Sequence, residues 1–187
     1  MRIWRLIPDE NPKYTYIIPT EDFFDNDDVQ NHWLYEIGKK PEGEDYKPIT
    51  VVKKYKSKKI FNISYFFHRM IIIDEKSKKA LEPLLKKSNV ELLPLICNEA
   101  SLYIINILGR FKPEEVLDME KSEVKRLPSG GIMYVSKHCF NKKAIAGMHI
   151  FDVQNLIVCD DEFKKTVEDS GLEGLCFRLL WQCDDNE

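Results

Sequence analysis

The sequence contains two similar segments, and they constrain the fold more than any other feature. Residues Ile71–Glu82 align with Ile157–Glu168 without a gap, and Ile, Asp, Lys, Lys and Glu recur at matching places. Each copy leads into an apolar run, Val90–Ile96 or Leu175–Trp181. An apolar run followed by an acidic residue and by helical spacing predicts a strand that enters a helix. We therefore expect the chain to fold around two similar strand–helix–strand units.

The two units and the segments around them predict the fold class. Asp74 and Asp160 stand where each helix begins, and acidic side chains there accept hydrogen bonds from free amides and oppose the helix dipole. Pro83 removes a backbone donor, so we expect the first helix to break or kink near Glu82. Elsewhere short apolar runs alternate with turn signals, of which Ser129–Gly131 predicts a hairpin. The prediction is an α+β fold: a mostly antiparallel, twisted sheet with a few short helices.

Composition narrows the class of protein. The chain has 187 residues, 43% of them hydrophobic and 32% charged, which predicts a single domain, residues 1–187, with a real core. A formal charge of -3 argues against nucleic acid as a partner, and the lysine-rich stretch Lys53–Lys59 reads better as a solvated edge strand. No apolar run predicts a membrane span or a signal peptide. Five scattered cysteines are typical of a reducing environment, so we expect a cytoplasmic protein.

A search for chemistry finds no motif. The sequence has no glycine-rich phosphate loop and no Gly-x-Ser-x-Gly elbow, and its four histidines lie far apart. We therefore predict no catalytic, cofactor-binding or metal-binding residues, and a protein that is not an enzyme. An alternative is a small ligand-binding domain or an enzyme, which would need a polar pocket around His68, Asn106 and His138. A structural subunit is a third possibility, favoured only if the protein self-assembles.

An acidic stretch with two aromatic residues follows the first strands. It allows three interpretations: a calcium loop, a solvated loop that caps the following segment, or a contact surface for a basic partner. The glycine and the terminal glutamate of a calcium loop are missing at the required spacing. In the third interpretation the phenylalanines would be apolar anchors within a charged rim. The predicted partner-binding residues are Asp22, Phe23, Phe24, Asp25, Asp27, Asp28 and Trp33.

Residues 70 to 181 resemble the immunity proteins of bacterial polymorphic-toxin and contact-dependent secretion systems, a family first catalogued as a domain of unknown function. The resemblance lies in the order and spacing of several short motifs. These are the unit Asp74–Leu85, the strand end Leu93–Leu95, the run Tyr103–Leu108, the step from Asp118 to Ser122, the pair Ile150–Phe151 and the closing segment Gly171–Phe177.

The resemblance implies a function and a division of the chain. Residues 61–183 would form the family core, residues 1–60 a less recognisable part, and residues 184–187 an acidic tail. A protein of this family would be cytoplasmic, would bind one cognate toxin domain and would neutralise it without chemistry of its own. It would thereby protect the producing cell and its kin in bacterial competition. The resemblance names neither the toxin nor the oligomeric state.

Overall fold

The computed structural model describes residues 1–33, 37, 39, 42, 46–66 and 70–183. Within them 20% of the chain is helix and 42% is strand, and most strand pairs are antiparallel, which confirms the α+β prediction. The predicted acidic tail, residues 184–187, lies outside the described residues. Among the helices described, none is long and apolar enough to cross a membrane.

The helices are short. They are α1 (Glu21–Phe24), α2 (Asp27–Asn31), α3 (Glu75–Leu85), α4 (Pro113–Val116) and α5 (Asp161–Asp169). The strands are β1 (Arg2–Pro8), β2 (Tyr14–Thr15), β3 (Ile17–Pro19), β4 (Val51–Lys53), β5 (Lys59–Ile60), β6 (Ile63–Phe66), β7 (Met70–Asp74), β8 (Val90–Leu95), β9 (Leu102–Ile107), β10 (Arg110–Phe111), β11 (Glu123–Arg126), β12 (Ile132–Lys137), β13 (Ile150–Val153), β14 (Leu156–Asp160) and β15 (Leu175–Gln182).

The strands form two main sheets rather than the one sheet that the sequence predicts. One has four strands in the order β6-β7-β9-β8, and the other has five in the order β10-β13-β14-β1-β15. Three two-stranded ribbons, β2-β5, β3-β4 and β11-β12, complete the described strands. The β11-β12 ribbon is the predicted hairpin. The pairs β10-β13 and β2-β5 are parallel.

The two main sheets are built on the two repeated units. In the first, β6 and β7 form a hairpin, α3 follows, and β9 lies between β7 and β8. In the second, β13 and β14 form a hairpin, α5 follows, and β1 lies between β14 and β15. The inserted strand thus comes from the end of the first unit in one sheet and from the start of the chain in the other. The backbone N–H of Cys183 donates to the Met1 carbonyl at 3.0 Å, so β15 ends beside the beginning of β1.

Matching hydrogen bonds cap both helices, as the sequence predicts. Asp74 Oδ1 accepts the backbone N–H of Ser77 at 2.8 Å, and Asp160 Oδ1 accepts that of Phe163 at 2.8 Å. Each bond satisfies one of the free donors at a helix N-terminus and contributes about 1 kcal/mol to stability.

An aromatic residue on each inserted strand binds the acid that follows the cap. The Tyr103 hydroxyl donates to Glu75 Oε2 at 2.9 Å, and the Trp4 indole N–H donates to Asp161 Oδ1 at 2.9 Å. Arg2 also binds the Asp161 carboxylate through its backbone N–H and its guanidinium. Burial alone would raise the pKa of Asp161, but these hydrogen bonds and the Arg2 charge hold it below its usual value.

A lysine of each helix also contacts the aromatic ring of the inserted strand. Lys78 Nζ lies 3.9 Å from the centre of the Tyr103 ring, and Lys164 Nζ lies 4.9 Å from that of Trp4, both within the range of a cation–π contact. Lys78 and Lys164 are equivalent positions in the sequence alignment of the two units. The repeat therefore extends from the sequence to individual side-chain contacts.

Three apolar clusters fill the space around the sheets. The first contains both unit helices, which pack against each other, and residues of both main sheets, such as Ile73 and Cys159. The second lies on the other face of the four-stranded sheet, which Ile72 and Ile104 line, and it includes Trp33. The third lies on the other face of the five-stranded sheet. Successive side chains of β7 point alternately into the first and second clusters, so β7 is buried on both faces.

The predicted break of the first helix is wrong. Helix α3 continues through Pro83 to Leu85, and the Lys86 N–H still donates to the Glu82 carbonyl at 3.0 Å. A proline in a helix interior removes its own backbone donor and crowds the carbonyl four residues earlier, which together cost about 3 kcal/mol. The buried side chains of Leu81 and Leu84 on this helix offset that cost by packing into the first cluster.

Candidate functional site

The acidic stretch forms two short helices rather than a loop. Helix α1 begins after Thr20, and α2 begins after Asn26, whose side chain accepts the Val29 backbone N–H at 3.1 Å. The side-chain amide of Gln30 donates to the Phe24 carbonyl at 2.8 Å and links α2 to the end of α1. The stretch therefore has a defined shape, and the predicted contact residues point in defined directions.

Five of the seven predicted contact residues lie on the surface. Asp22, Phe24, Asp25, Asp27 and Asp28 are exposed, and the Phe24 side chain remains 56% accessible although it is large and apolar. We call these five residues the acidic surface. None of its four carboxylates forms an ion pair or a side-chain hydrogen bond with any residue that the structure describes. Their charge is thus uncompensated and available to a partner.

The other two predicted contact residues are buried. Phe23 is 4% exposed and Trp33 is 1% exposed, and both belong to the second cluster. The Trp33 ring packs 6.4 Å from that of Phe66 on the four-stranded sheet. Phe23 and Trp33 therefore anchor the acidic surface to the core, and they are not themselves accessible to a partner in this structure. Whether a partner touches the other five residues stays a prediction.

A small cavity of about 280 Å³ lies beside this surface, lined by Asp28, Val29, His32, Trp33 and Lys47. At its rim His32 Nε2 lies 2.9 Å from Glu42 Oε2, and the Glu42 side chain is buried. The cavity is smaller than most pockets that bind a ligand the size of a cofactor.

The polar pocket of the alternative interpretation is not assembled by the described residues. Asn106 is buried in β9, where its amide donates to Glu91 Oε2 at 3.1 Å. His138 stacks on Phe140 beside the third cluster, and the two cavities that it lines do not include Asn106. His68 lies outside the described residues. Burial and the positive charge of Arg5 lower the pKa of His138, so its ring is neutral near pH 7.

One cluster has the residue types of a metal site. His149 Nδ1 lies 2.8 Å from Asp160 Oδ2 and 3.7 Å from Glu162 Oε2. In the first unit, Asn62 occupies the place of His149, and its side-chain amide donates to the capping residue Asp74 at 2.7 Å. In both units, then, the side chain opposite the capping aspartate, Asn62 or His149, contacts the carboxylate oxygen that does not cap the helix. The cluster is therefore explained as part of the helix cap, without a metal.

The structure also exposes apolar side chains that sequence reasoning missed. Ile18 on β3 and Val52 on β4 face each other across the ribbon, and both are exposed, as is Tyr16. Alternation along the strand would have placed Tyr16 and Ile18 on one face. It could not have said that this face is the solvent face, because that depends on how the ribbon packs on the second cluster.

The motifs of the closing segment join the two units. Gly171 and Gly174 both have positive φ, at 56° and 118°. The Glu173 carbonyl accepts the Ile63 N–H at 3.0 Å, and the Gly174 carbonyl accepts the Asp9 N–H at 3.0 Å. A side chain at residue 174 would overlap the backbone of β6, so the close approach of the two units requires glycine there.

The step from Asp118 to Ser122 is a turn that fixes the segment before β11. The Asp118 side chain accepts the backbone N–H of Glu120 at 3.1 Å, and Ser122 exchanges two hydrogen bonds with the backbone of Cys139. This motif thus holds the β11-β12 ribbon against the following loop.

Comparison with known proteins finds a family model that covers part of the chain. Residues 98–180 match the model of an immunity protein family (Imm11). The matched range runs from the turn before β9 into β15 and contains most of the second unit. No curated protein matches the chain. This match is consistent with the resemblance to immunity proteins over residues 98–180, and it supports an immunity function in general.

Proposed function

We propose that this protein binds a cognate secreted toxin domain in the cytoplasm and neutralises it, so that the producing cell and its kin survive. The observation that carries the proposal is the family match over residues 98–180. Neutralisation is by stoichiometric binding that covers the working surface of the toxin, and the chain contributes no reaction of its own.

In this proposal the acidic surface contacts the toxin. Its uncompensated carboxylates would attract a basic partner over a distance and raise the association rate. Phe24 would supply an apolar anchor at its centre, since aromatic side chains surrounded by polar groups often dominate binding energy. The buried rings of Phe23 and Trp33 support the surface, so that little ordering is needed on binding.

The test reverses the charge of the acidic surface. Replacing Asp25, Asp27 and Asp28 with lysine places like charges against a basic partner, which costs several kcal/mol, so we expect the Kd for the toxin domain to rise at least about 100-fold. All three side chains are exposed, so the melting temperature should stay unchanged. The domain to test is the C-terminal domain of any large secreted protein encoded by a neighbouring gene, and titration calorimetry gives both affinity and stoichiometry.

The matched control carries the same change in charge elsewhere. Glu10, Glu114 and Glu120 are exposed, and replacing all three with lysine alters the net charge equally. This control should bind the toxin domain nearly as tightly as the unaltered chain. If both triple variants lose the same affinity for the toxin domain, the effect is due to net charge alone, and the acidic surface is not the contact site. No binding by the unaltered, folded chain would refute the proposed function itself.

A further inference from the structure

A groove opens on the five-stranded sheet where β1 leaves its neighbour. The pairing of β1 with β14 ends at Arg5 opposite Val158, whereas its pairing with β15 continues to Pro8. The gap is a cavity of about 530 Å³, and the Tyr65 hydroxyl, which also lines it, donates to the Leu6 carbonyl at 2.9 Å.

A second cavity of about 470 Å³ adjoins the first and extends it toward β12. The two cavities share four lining residues, Arg5, Asn155, Leu156 and Arg178, so together they form one elongated groove. The groove and the acidic surface belong to different parts of the fold, because Val153 in the groove wall belongs to the third cluster and the acidic surface rests on the second.

Two arginines stand side by side in the groove. Arg5 and Arg178 are direct cross-strand partners, and both are exposed. Neither guanidinium forms an ion pair or a hydrogen bond with the described part of the chain. Two like charges placed directly opposite each other destabilise a sheet, so this pair costs stability while the groove is empty. An anion bound between them would remove that cost.

The described lining of the groove also contains no acidic residue. Of the described residues that line the two cavities, none is Asp or Glu, although the whole chain has 31 acidic residues and a net charge of -3. By contrast Arg2, on the same strand, is paired with Asp161 at 2.9 Å. The groove is therefore a local positive site on an acidic protein.

The walls of the groove suit an extended chain better than a small ion. Met133 and Tyr134 are exposed along one side, where they offer apolar and aromatic contact. The β13-β14 turn adjoins their strand, β12, since the Gln154 side-chain amide donates to the Ile132 carbonyl at 3.2 Å, and the Asp152 carboxylate fixes the turn by accepting the Asn155 N–H at 2.7 Å. An arginine pair binds carboxylates in a bidentate manner with geometric selectivity.

We propose that this groove binds an extended, carboxylate-bearing segment of the toxin domain. The assignment to the toxin rests on the proposed function; the preference for an acidic peptide rests on the groove alone. The protein would then hold its partner at two surfaces of opposite charge, and a partner would need both a basic and an acidic region to fit. Such paired complementarity discriminates against toxins that carry only one of them.

A peptide assay tests the groove without the toxin. A fluorescent hexaglutamate peptide is titrated with the full chain at low salt, and a hexalysine peptide, inorganic phosphate and a short single-stranded DNA are used alongside it. We expect binding of hexaglutamate, and a loss of about tenfold in affinity for each of Arg5→Ala and Arg178→Ala, because each removes charge-assisted hydrogen bonds. Arg126→Ala is the control, since Arg126 is exposed on β11 outside the groove.

The outcomes separate the two proposals. Equal affinity for the peptide in Arg5→Ala, Arg178→Ala and Arg126→Ala would overturn the proposal that the groove binds an acidic peptide. A preference for phosphate or DNA over the peptide would also overturn it. If the unaltered chain binds the peptide but no toxin domain, the proposed function fails and the groove stands. If the toxin domain binds Arg5→Ala and Arg178→Ala as tightly as the unaltered chain, the groove is not a toxin contact while the proposed function stands.

Discussion

Replacing Gly174 with alanine should destabilise the fold severely, because this residue lies where the two repeated units touch. A Cβ at this position would lie 1.7 Å from the Ile63 carbonyl oxygen and 2.8 Å from Phe61 Cβ. The first of these atoms belongs to the backbone, so no side-chain rotation relieves the overlap. The residue also has a φ of 118°, which side chains rarely adopt.

The expected loss of stability has two contributions, broken hydrogen bonds and backbone strain. Separating the units here breaks two hydrogen bonds, from Ile63 N–H to the Glu173 carbonyl and from Glu173 N–H to Asn62 Oδ1, each contributing about 1 kcal/mol. Because the backbone at residue 174 keeps a positive φ, an alanine there adds a strain of about 1–3 kcal/mol. The total is about 3–5 kcal/mol, a large part of the stability of a typical domain.

Urea unfolding followed by tryptophan fluorescence measures this cost, and Gly171→Ala is the matched control. Gly171 also has a positive φ, 56°, but a Cβ there meets no heavy atom within 4 Å, so its replacement should cost only about 1 kcal/mol. The reasoning is refuted if the two variants unfold at the same urea concentration, or if Gly174→Ala matches the unaltered chain.

Three further predictions test the frame. Asp74→Ala removes the cap of α3 and should lower the free energy of unfolding by about 1 kcal/mol in urea titration; no change would mean that the cap is not formed. The folded-state pKa of Asp161 is lowered, so its stabilisation is complete above the unfolded value of about 3.9 and is lost as pH falls through the folded value. Asp161→Asn should therefore destabilise the protein at pH 7 and lose that effect progressively in more acidic titrations; a constant difference would contradict it. A circular permutant that joins Cys183 to Met1 by a short linker and opens the chain at 130–131 should fold, because β15 already ends beside β1; failure to fold would contradict the equivalence of the inserted strands.

Local patterns in the sequence predicted the repeated units well. The apolar runs, the capping aspartates and the lysines of the helices all depend on neighbours within a few residues, so the alignment of Ile71–Glu82 with Ile157–Glu168 was enough. The pairing of strands distant in sequence was not predictable in this way. Nothing near Ile3 indicates that β1 lies between β14 and β15, because that place depends on contacts more than 150 residues away.

The candidate site was predictable only in part. The composition of the acidic stretch indicated a charged surface. It could not indicate that Phe23 is buried and the adjacent Phe24 exposed, because that depends on how α1 packs against the core. The length of α3 was underestimated because the cost of Pro83 was judged without the buried leucines around it. The arginine pair left no signal in the sequence, since Arg5 and Arg178 become neighbours only through the register of β1 with β15.

The central claim is that this chain neutralises a toxin, and protection of a poisoned cell tests it most directly. A candidate toxin domain, taken from a large secreted protein encoded by a neighbouring gene, is expressed from an inducible promoter with or without this chain, and growth is measured after induction. The account predicts that growth is restored by the unaltered chain and is reduced again by the lysine triple variant at Asp25, Asp27 and Asp28. Cells that stop growing equally with and without the folded, soluble chain would contradict it.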